Sequence, residues 1–136
     1  MADQCPVFEL RVVLTVEDVD KALAFYGEAL GLPVMRSFQE GRDRGVLLAA
    51  GKATVELLSR GTADAVDRIE IGRATAAPVR MALEVGDAPA VSERLEAAGG
   101  EKLGKVVDTP WGHRNVRLAA PGGLQVTLFT VMEEPA

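Results

Sequence analysis

The sequence predicts an α+β fold made of two βαβββ modules in a single domain spanning residues 1–136, and three observations predict it. The first is element order: a β-branched run, a capped amphipathic stretch and three further strand-like runs occur twice in succession. The second is an internal repeat. A shift of 69 residues lays RVVLTVED (11–18) onto RMALEVGD (80–87), with Arg11 over Arg80 and Asp18 over Asp87. The third is length, since a chain of 136 residues buries roughly 68–70% of its unfolded surface as one domain and is short for two.

The first module is placed at residues 8–60. FELRVVLTV (8–16) alternates as a strand, with Arg11, Val13 and Thr15 on one face and Val12, Leu14 and Val16 on the other, the expected core side. Asp18 is a candidate N-cap for DVDKALAFYGEALG, where Val19, Ala22, Leu23, Phe25, Tyr26 and Leu30 recur at helical spacing before Gly31. Strands follow at 33–38, 45–49 and 53–59, broken by the polar loop 39–44 and the Ala50-Gly51-Lys52 turn. Residues 61–78 carry mixed charges without alternation and read as a connector with at most a helical turn. The second module is placed at 79–132: strand 79–85, a helix opened by Asp87 and ended at Gly99-Gly100, then strands 102–107, 115–119 and 124–131. One such unit leaves a sheet face uncovered, so the two are expected to pair within or between chains as facing curved sheets around a cleft.

Composition narrows the function. Fifteen Lys and Arg against 20 Asp and Glu give a net charge of −5, which argues against nucleic acid, whose phosphates need a basic face. No apolar stretch approaches the ~18 residues of a membrane helix, and Asp3 stands where a basic leader would be, so a cytoplasmic protein without membrane partners is expected. Cys5 is the sole cysteine, which rules out an internal disulfide and a Cys-based zinc site.

The repeat, FYGEALG at 25–31, the PWGHR turn at 110–114 and the Pro121-Gly122-Gly123 turn together resemble the vicinal-oxygen-chelate superfamily of glyoxalases, bleomycin-resistance proteins and dioxygenases. The resemblance covers about residues 8 to 131 and is nearest to metal-free antibiotic-binding members. It implies a homodimer, domain-swapped where modules of two chains pair. It also implies that metal-using members place His, Gln or Glu at positions that fall here on Arg11, Glu56, Arg80 and Thr127. Only Glu56 matches. A guanidinium has no lone pair to offer a divalent ion and stays protonated, so no metal and no other cofactor are expected.

Those four positions are expected to form the cleft floor, with Arg11, Arg80 and Glu56 in one hydrogen-bonded charge cluster. Glu56 reads either as a proton-transfer group or as the salt-bridge partner closing an abandoned metal site. Arg11 and Arg80 read either as donors to ligand oxygens or as its structural partners. Met35, Phe38 and Phe129 are candidate apolar contacts or core. Trp111 is a stacking plate or a core cap, and His113, the sole histidine, a rim donor or a bystander. By strand parity Asn115, Arg117 and Thr127 point inward while Val116 and Leu118 pack on the helix. The expectation is a metal-independent binder of a small organic molecule, an aromatic antibiotic or natural product of planar polyketide, quinone or enediyne type. The alternatives are a metal-independent enzyme using Glu56 for proton transfer, with no other catalytic group assigned, and a metal-dependent glyoxalase or dioxygenase.

Overall fold

Alternating β-branched residues make β1 (Val7–Val16), and the Asp18 carboxylate accepts from the Lys21 N–H to open α1 (Val19–Leu23). Past Leu23 the helix widens into a π-helical stretch, Ala24–Ala29, which leaves Tyr26 against the core but Phe25 and Leu30 exposed. Strands β2 (Val34–Glu40), β3 (Asp43–Ala50) and β4 (Ala53–Ser59) complete the first module. The second has β5 (Val79–Val85), α3 (Ala88–Ala97), β8 (His113–Ala119) and β9 (Gln125–Val131). Its expected strand at 102–107 is instead two short pieces, β6 (Glu101–Lys102) and β7 (Val107–Asp108), each paired to β8. This computed structural model describes residues 5–132.

The two modules join edge to edge rather than standing as separate sheets. Antiparallel pairing of β1 with β5 fuses them into one nine-stranded sheet ordered β2-β3-β4-β1-β5-β9-β8-β6, with β7 also on β8. In each half the first strand runs parallel to the last, β1 with β4 and β5 with β9. The repeat is visible in the register: Val13 pairs with Glu56, and Ala82, its counterpart in the second module, pairs with Thr127.

The largest departure from expectation is at 61–78. Residues Arg60–Ile71 form a 12-residue helix, α2. Its N-cap is the Ser59 hydroxyl, which accepts from the Thr62 N–H, and its C-terminus stops at Gly72, whose φ of 80° is left-handed. The helix is amphipathic, with Ala63, Val66 and Ile69 recurring at helical spacing, but absence of strand alternation in 61–78 does not test for that period, and the buried Thr62, Asp67 and Glu70 read as surface polar residues.

Helices cover both faces of the sheet. On the outer face α1 packs on Val46, Leu48 and Leu57, with Leu14 and Val16, while α3 packs on Val116, Leu118, Val126 and Leu128. On the inner face α2 covers Val13, Leu58, Ala82 and Phe129. Val13, expected opposite the core, is thus nearly fully buried, because α2 supplies a second core on that side. Among the described residues no helix is long and apolar enough to cross a membrane.

Close packing ties the β6–β7 connection to α2. A Cβ at Gly104 would stand 2.6 Å from the Glu70 carbonyl oxygen and 3.1 Å from the Ile71 Cα, and backbone cannot yield as a side-chain tip can. Gly104→Ala should therefore lower stability by about 1–3 kcal/mol in urea titrations; a variant that melts with the parent contradicts this packing.

Candidate functional site

The inner face is the face to which the even residues of β2, β4 and β5 and the odd residues of β1, β3, β8 and β9 point. Cross-strand register sets Glu56, Val13 and Arg80 in one row and Thr54, Arg11, Ala82, Thr127 and Arg117 in the next. α2 lies across this face but meets the two halves differently. Over the second half it is fixed by a buried network, and beside that network it leaves a cavity of about 390 Å³ lined by residues of both halves.

Arg117, wholly buried, anchors that network. Its Nη1 donates to Asp67 Oδ1 at 2.6 Å and its Nε to Glu70 Oε1 at 3.1 Å. Glu70 also accepts from Asn115 Nδ2 and from Thr127 Oγ1. Burial would raise the Asp67 carboxyl, but the Thr75 N–H and the Arg117 guanidinium carry it below its ordinary value. Two polar atoms have no hydrogen-bond partner, Asn115 Oδ1 and Arg117 Nη2, the latter 3.1 Å from Glu70 Oε1 but poorly aligned.

Arg11 and Glu56 of the first half face the cavity together with His113 and Phe129 of the second. Arg11 Nε donates to Glu9 Oε2 at 2.8 Å, its Nη2 to Glu9 Oε1 at 3.3 Å, and its Nη1 lies 3.6 Å from Glu56 Oε2. Its guanidinium carbon sits 5.0 Å from the Phe129 ring centroid, a cation–π distance, and the same ring stacks with His113 at 4.8 Å. Burial is the main influence on Glu9 and would raise it, yet hydrogen bonds from Arg11 and Thr54 bring it below its ordinary range. Glu56 moves the other way: burial raises it, and the charges of Arg11 and Arg80 only partly offset this. Burial, with Arg11 and Arg36 nearby, pushes His113 down, which leaves a neutral imidazole at neutral pH.

Arg80 does not join Arg11 and Glu56 in a single hydrogen-bonded cluster as expected. It is 9% exposed, and its Nη1 donates to Thr127 Oγ1 at 3.1 Å. Arg11's principal partner is Glu9, a residue the sequence reading overlooked because it lies outside the repeated segment. Nine of the ten expected residues line the cavity: Arg11, Phe38, Glu56, Arg80, Trp111, His113, Asn115, Thr127 and Phe129. Met35 does not. The pairing of β2 with β3 slips between Val34 and Arg36, and Met35, 57% exposed, is off the wall. Arg36, Phe38 and Glu40 form the outer rim with Trp111, and the α2 residues Ala65, Val66 and Ile69 form the roof. That roof was invisible without α2 itself.

A divalent ion does not suit this donor set. Arg11 is bound to carboxylates, Arg80 donates to Thr127, and guanidinium groups bring positive charge without lone pairs. Among the described residues no three His, Cys, Asp or Glu side chains come together as a metal site.

An open curved sheet built from paired βαβββ modules, with its cleft on the inner face, defines the glyoxalase class of fold. The sequence profile of the Glyoxalase/Bleomycin resistance protein/Dioxygenase superfamily matches residues 10–128, and the chain belongs to that superfamily. No curated protein sequence matches it. Among solved structures it is similar to methylmalonyl-CoA epimerase from Mycobacterium tuberculosis, at 20% identity over 96% of this chain and 92% of that one, TM-score 0.67. It is also similar to the Streptomyces coelicolor methylmalonyl-CoA epimerase, at 17% identity over 94% and 98%, TM-score 0.61. A superfamily member from Vibrio splendidus 12B01 aligns at 14% identity over 90% and 97%, TM-score 0.64. Identities this low speak to fold, not to chemistry.

The Glu56 shift has a consequence for stability. A carboxyl raised on folding loses stability as pH climbs from its unfolded value, ~4.3, through its folded one, because the native state then gives up a proton it held more tightly. Asp67 and Glu9 act oppositely, contributing above their unfolded values and losing that contribution in acid. Glu56→Gln should therefore stabilise the protein increasingly as pH rises above the unfolded value, levelling off past the folded one, in denaturant titrations. A pH-independent difference from the parent contradicts a raised Glu56.

Proposed function

We propose that the chain is a metal-independent binding protein that captures a small, flat organic molecule bearing polar oxygens. One observation carries this reading. Where metal-using relatives are expected to hold an ion, the pocket has two guanidinium groups, a carboxylate and a hydroxyl, enclosed by Phe38, Trp111 and Phe129. A cavity of about 390 Å³ lies within the ~300–1,000 Å³ range of small-molecule sites. Apolar walls with a few inward polar groups suit an aromatic natural product of polyketide, quinone or enediyne type, and stoichiometric capture of such a compound would make this a self-resistance protein.

A second reading is favoured by Glu56. Its carboxyl, raised by burial, faces the cavity beside Arg11, as a proton-transfer group would, with guanidinium groups to stabilise an enolate or phenolate. Methylmalonyl-CoA epimerase, one of the structural neighbours, is an enzyme. In this reading Glu56 acts on a bound polyketide-like substrate.

The experiment uses Trp111, the sole tryptophan, 43% exposed at the rim. Titration with planar quinones should quench its fluorescence to a 1:1 end point, and Trp111→Phe should abolish the signal while calorimetry still registers binding. Mass spectrometry after denaturation then separates the readings. Unchanged compound supports capture; altered compound, with turnover lost in Glu56→Gln, supports catalysis. A panel that neither quenches nor binds contradicts both.

A further inference from the structure

Three guanidinium groups line the cavity, those of Arg11, Arg36 and Arg80, and they differ in what already occupies them. Arg11 is committed to Glu9 and Glu56. Among the described residues neither Arg36 nor Arg80 has a carboxylate oxygen within 4.0 Å. For Arg36, exposed on β2, this is ordinary. For Arg80 it is not. Only 9% exposed, it makes one side-chain hydrogen bond, to the neutral Thr127 hydroxyl, and its remaining N–H groups border the cavity. Buried guanidinium charge is normally matched by an anion, and five donors in a planar fork are built to meet two oxygens at once.

Glu70, Glu56 and Asp67 act on Arg80 through space, but none of them contacts its guanidinium. Glu70 is held by Arg117, Asn115 and Thr127, and Glu56 lies against Arg11. Glu40 and Asp43 are exposed at the outer rim. We infer that the pocket selects organic anions, aryl carboxylates or phenolates, and that Arg80 holds the ligand's charged oxygens at the floor while the rim aromatics take its ring. Arg36 stands at the mouth beside Glu40 and Asp43, so the selectivity is assigned to the short-range pairing at Arg80 and not to long-range steering. This inference rests on the organic-ligand reading and adds the ligand's charge and the residue that meets it.

Matched probes test it: anthraquinone-2-carboxylate and anthraquinone-2-carboxamide, titrated calorimetrically into the full chain, into Arg80→Met and into Arg80→Lys. The parent should prefer the carboxylate by at least about tenfold, as a charge-assisted pair demands. Arg80→Met should bind acid and amide alike, and Arg80→Lys, which keeps the charge but not the fork, should keep part of the preference. If Arg80→Met does not fold, a reduced preference in Arg80→Lys carries the test. Equal binding of acid and amide by the parent, or an undiminished preference in both variants, overturns the anion assignment and leaves the organic-ligand reading standing. Failure of both probes to bind the parent overturns the two together.

Discussion

The contact between buried Arg117 and the α2 carboxylates of Asp67 and Glu70 decides how this sheet is used. Two similar modules fused along β1 and β5 would otherwise offer two similar inner faces. Because Arg117 draws α2 onto its own half, the inner end of that half becomes interior, and the cavity that remains is walled by both modules, with Arg80, Asn115, Thr127 and Phe129 facing Arg11 and Glu56. Ion pairs so deeply buried are weak evidence of net stability, since desolvation offsets much of their attraction. Their value here is positional: a single carboxylate, Glu70, receives Arg117, Asn115 and Thr127, which fixes the helix in rotation as well as height. The cost is two sealed polar atoms, Asn115 Oδ1 and Arg117 Nη2, a penalty of about 1–3 kcal/mol each where no compensation exists.

Asymmetry at α2 propagates to the pocket. Thr127 and Glu56 occupy corresponding strand positions, yet Thr127 donates to Glu70 and accepts from Arg80, while Glu56 stays beside the cavity with only a long contact to Arg11. The related arginines diverge in the same way. Arg11 is enclosed by Glu9, Glu56 and the Phe129 ring, whereas Arg80 keeps donors open to the space between sheet and helix. The pocket thus holds one guanidinium paired with carboxylates and one without a carboxylate contact, beside the rings of Phe38, Trp111 and Phe129.

Much of this was legible in the chain, and the reason lies in period and repeat. Strand alternation correctly turned Arg11, Glu56, Arg80, Asn115, Arg117 and Thr127 to one face, because the side-chain period in a strand is two and the repeat fixed the starting point. What could not be read was the part governed by long-range polar contact. The residues that make α2 a packed helix, Asp67 and Glu70, look like surface charges until Arg117, some fifty positions later, is known to meet them. Met35 was misplaced by an irregularity in strand pairing that alternation cannot foresee, and the expected strand at 102–107 is interrupted in its middle. The union of the two halves into one sheet depends on β1 meeting β5, an edge contact that either a single chain or two chains could have made.

In the proposed reading, guanidinium groups stand on this inner face where metal-using relatives are expected to hold an ion. Elemental analysis of the purified full chain, after exposure to nickel, zinc, iron and manganese salts and removal of free ions, tests it most directly. The account predicts far less than one equivalent of any of them per chain. A stoichiometric ion, lost together with ligand binding when Glu56 is replaced, would contradict it.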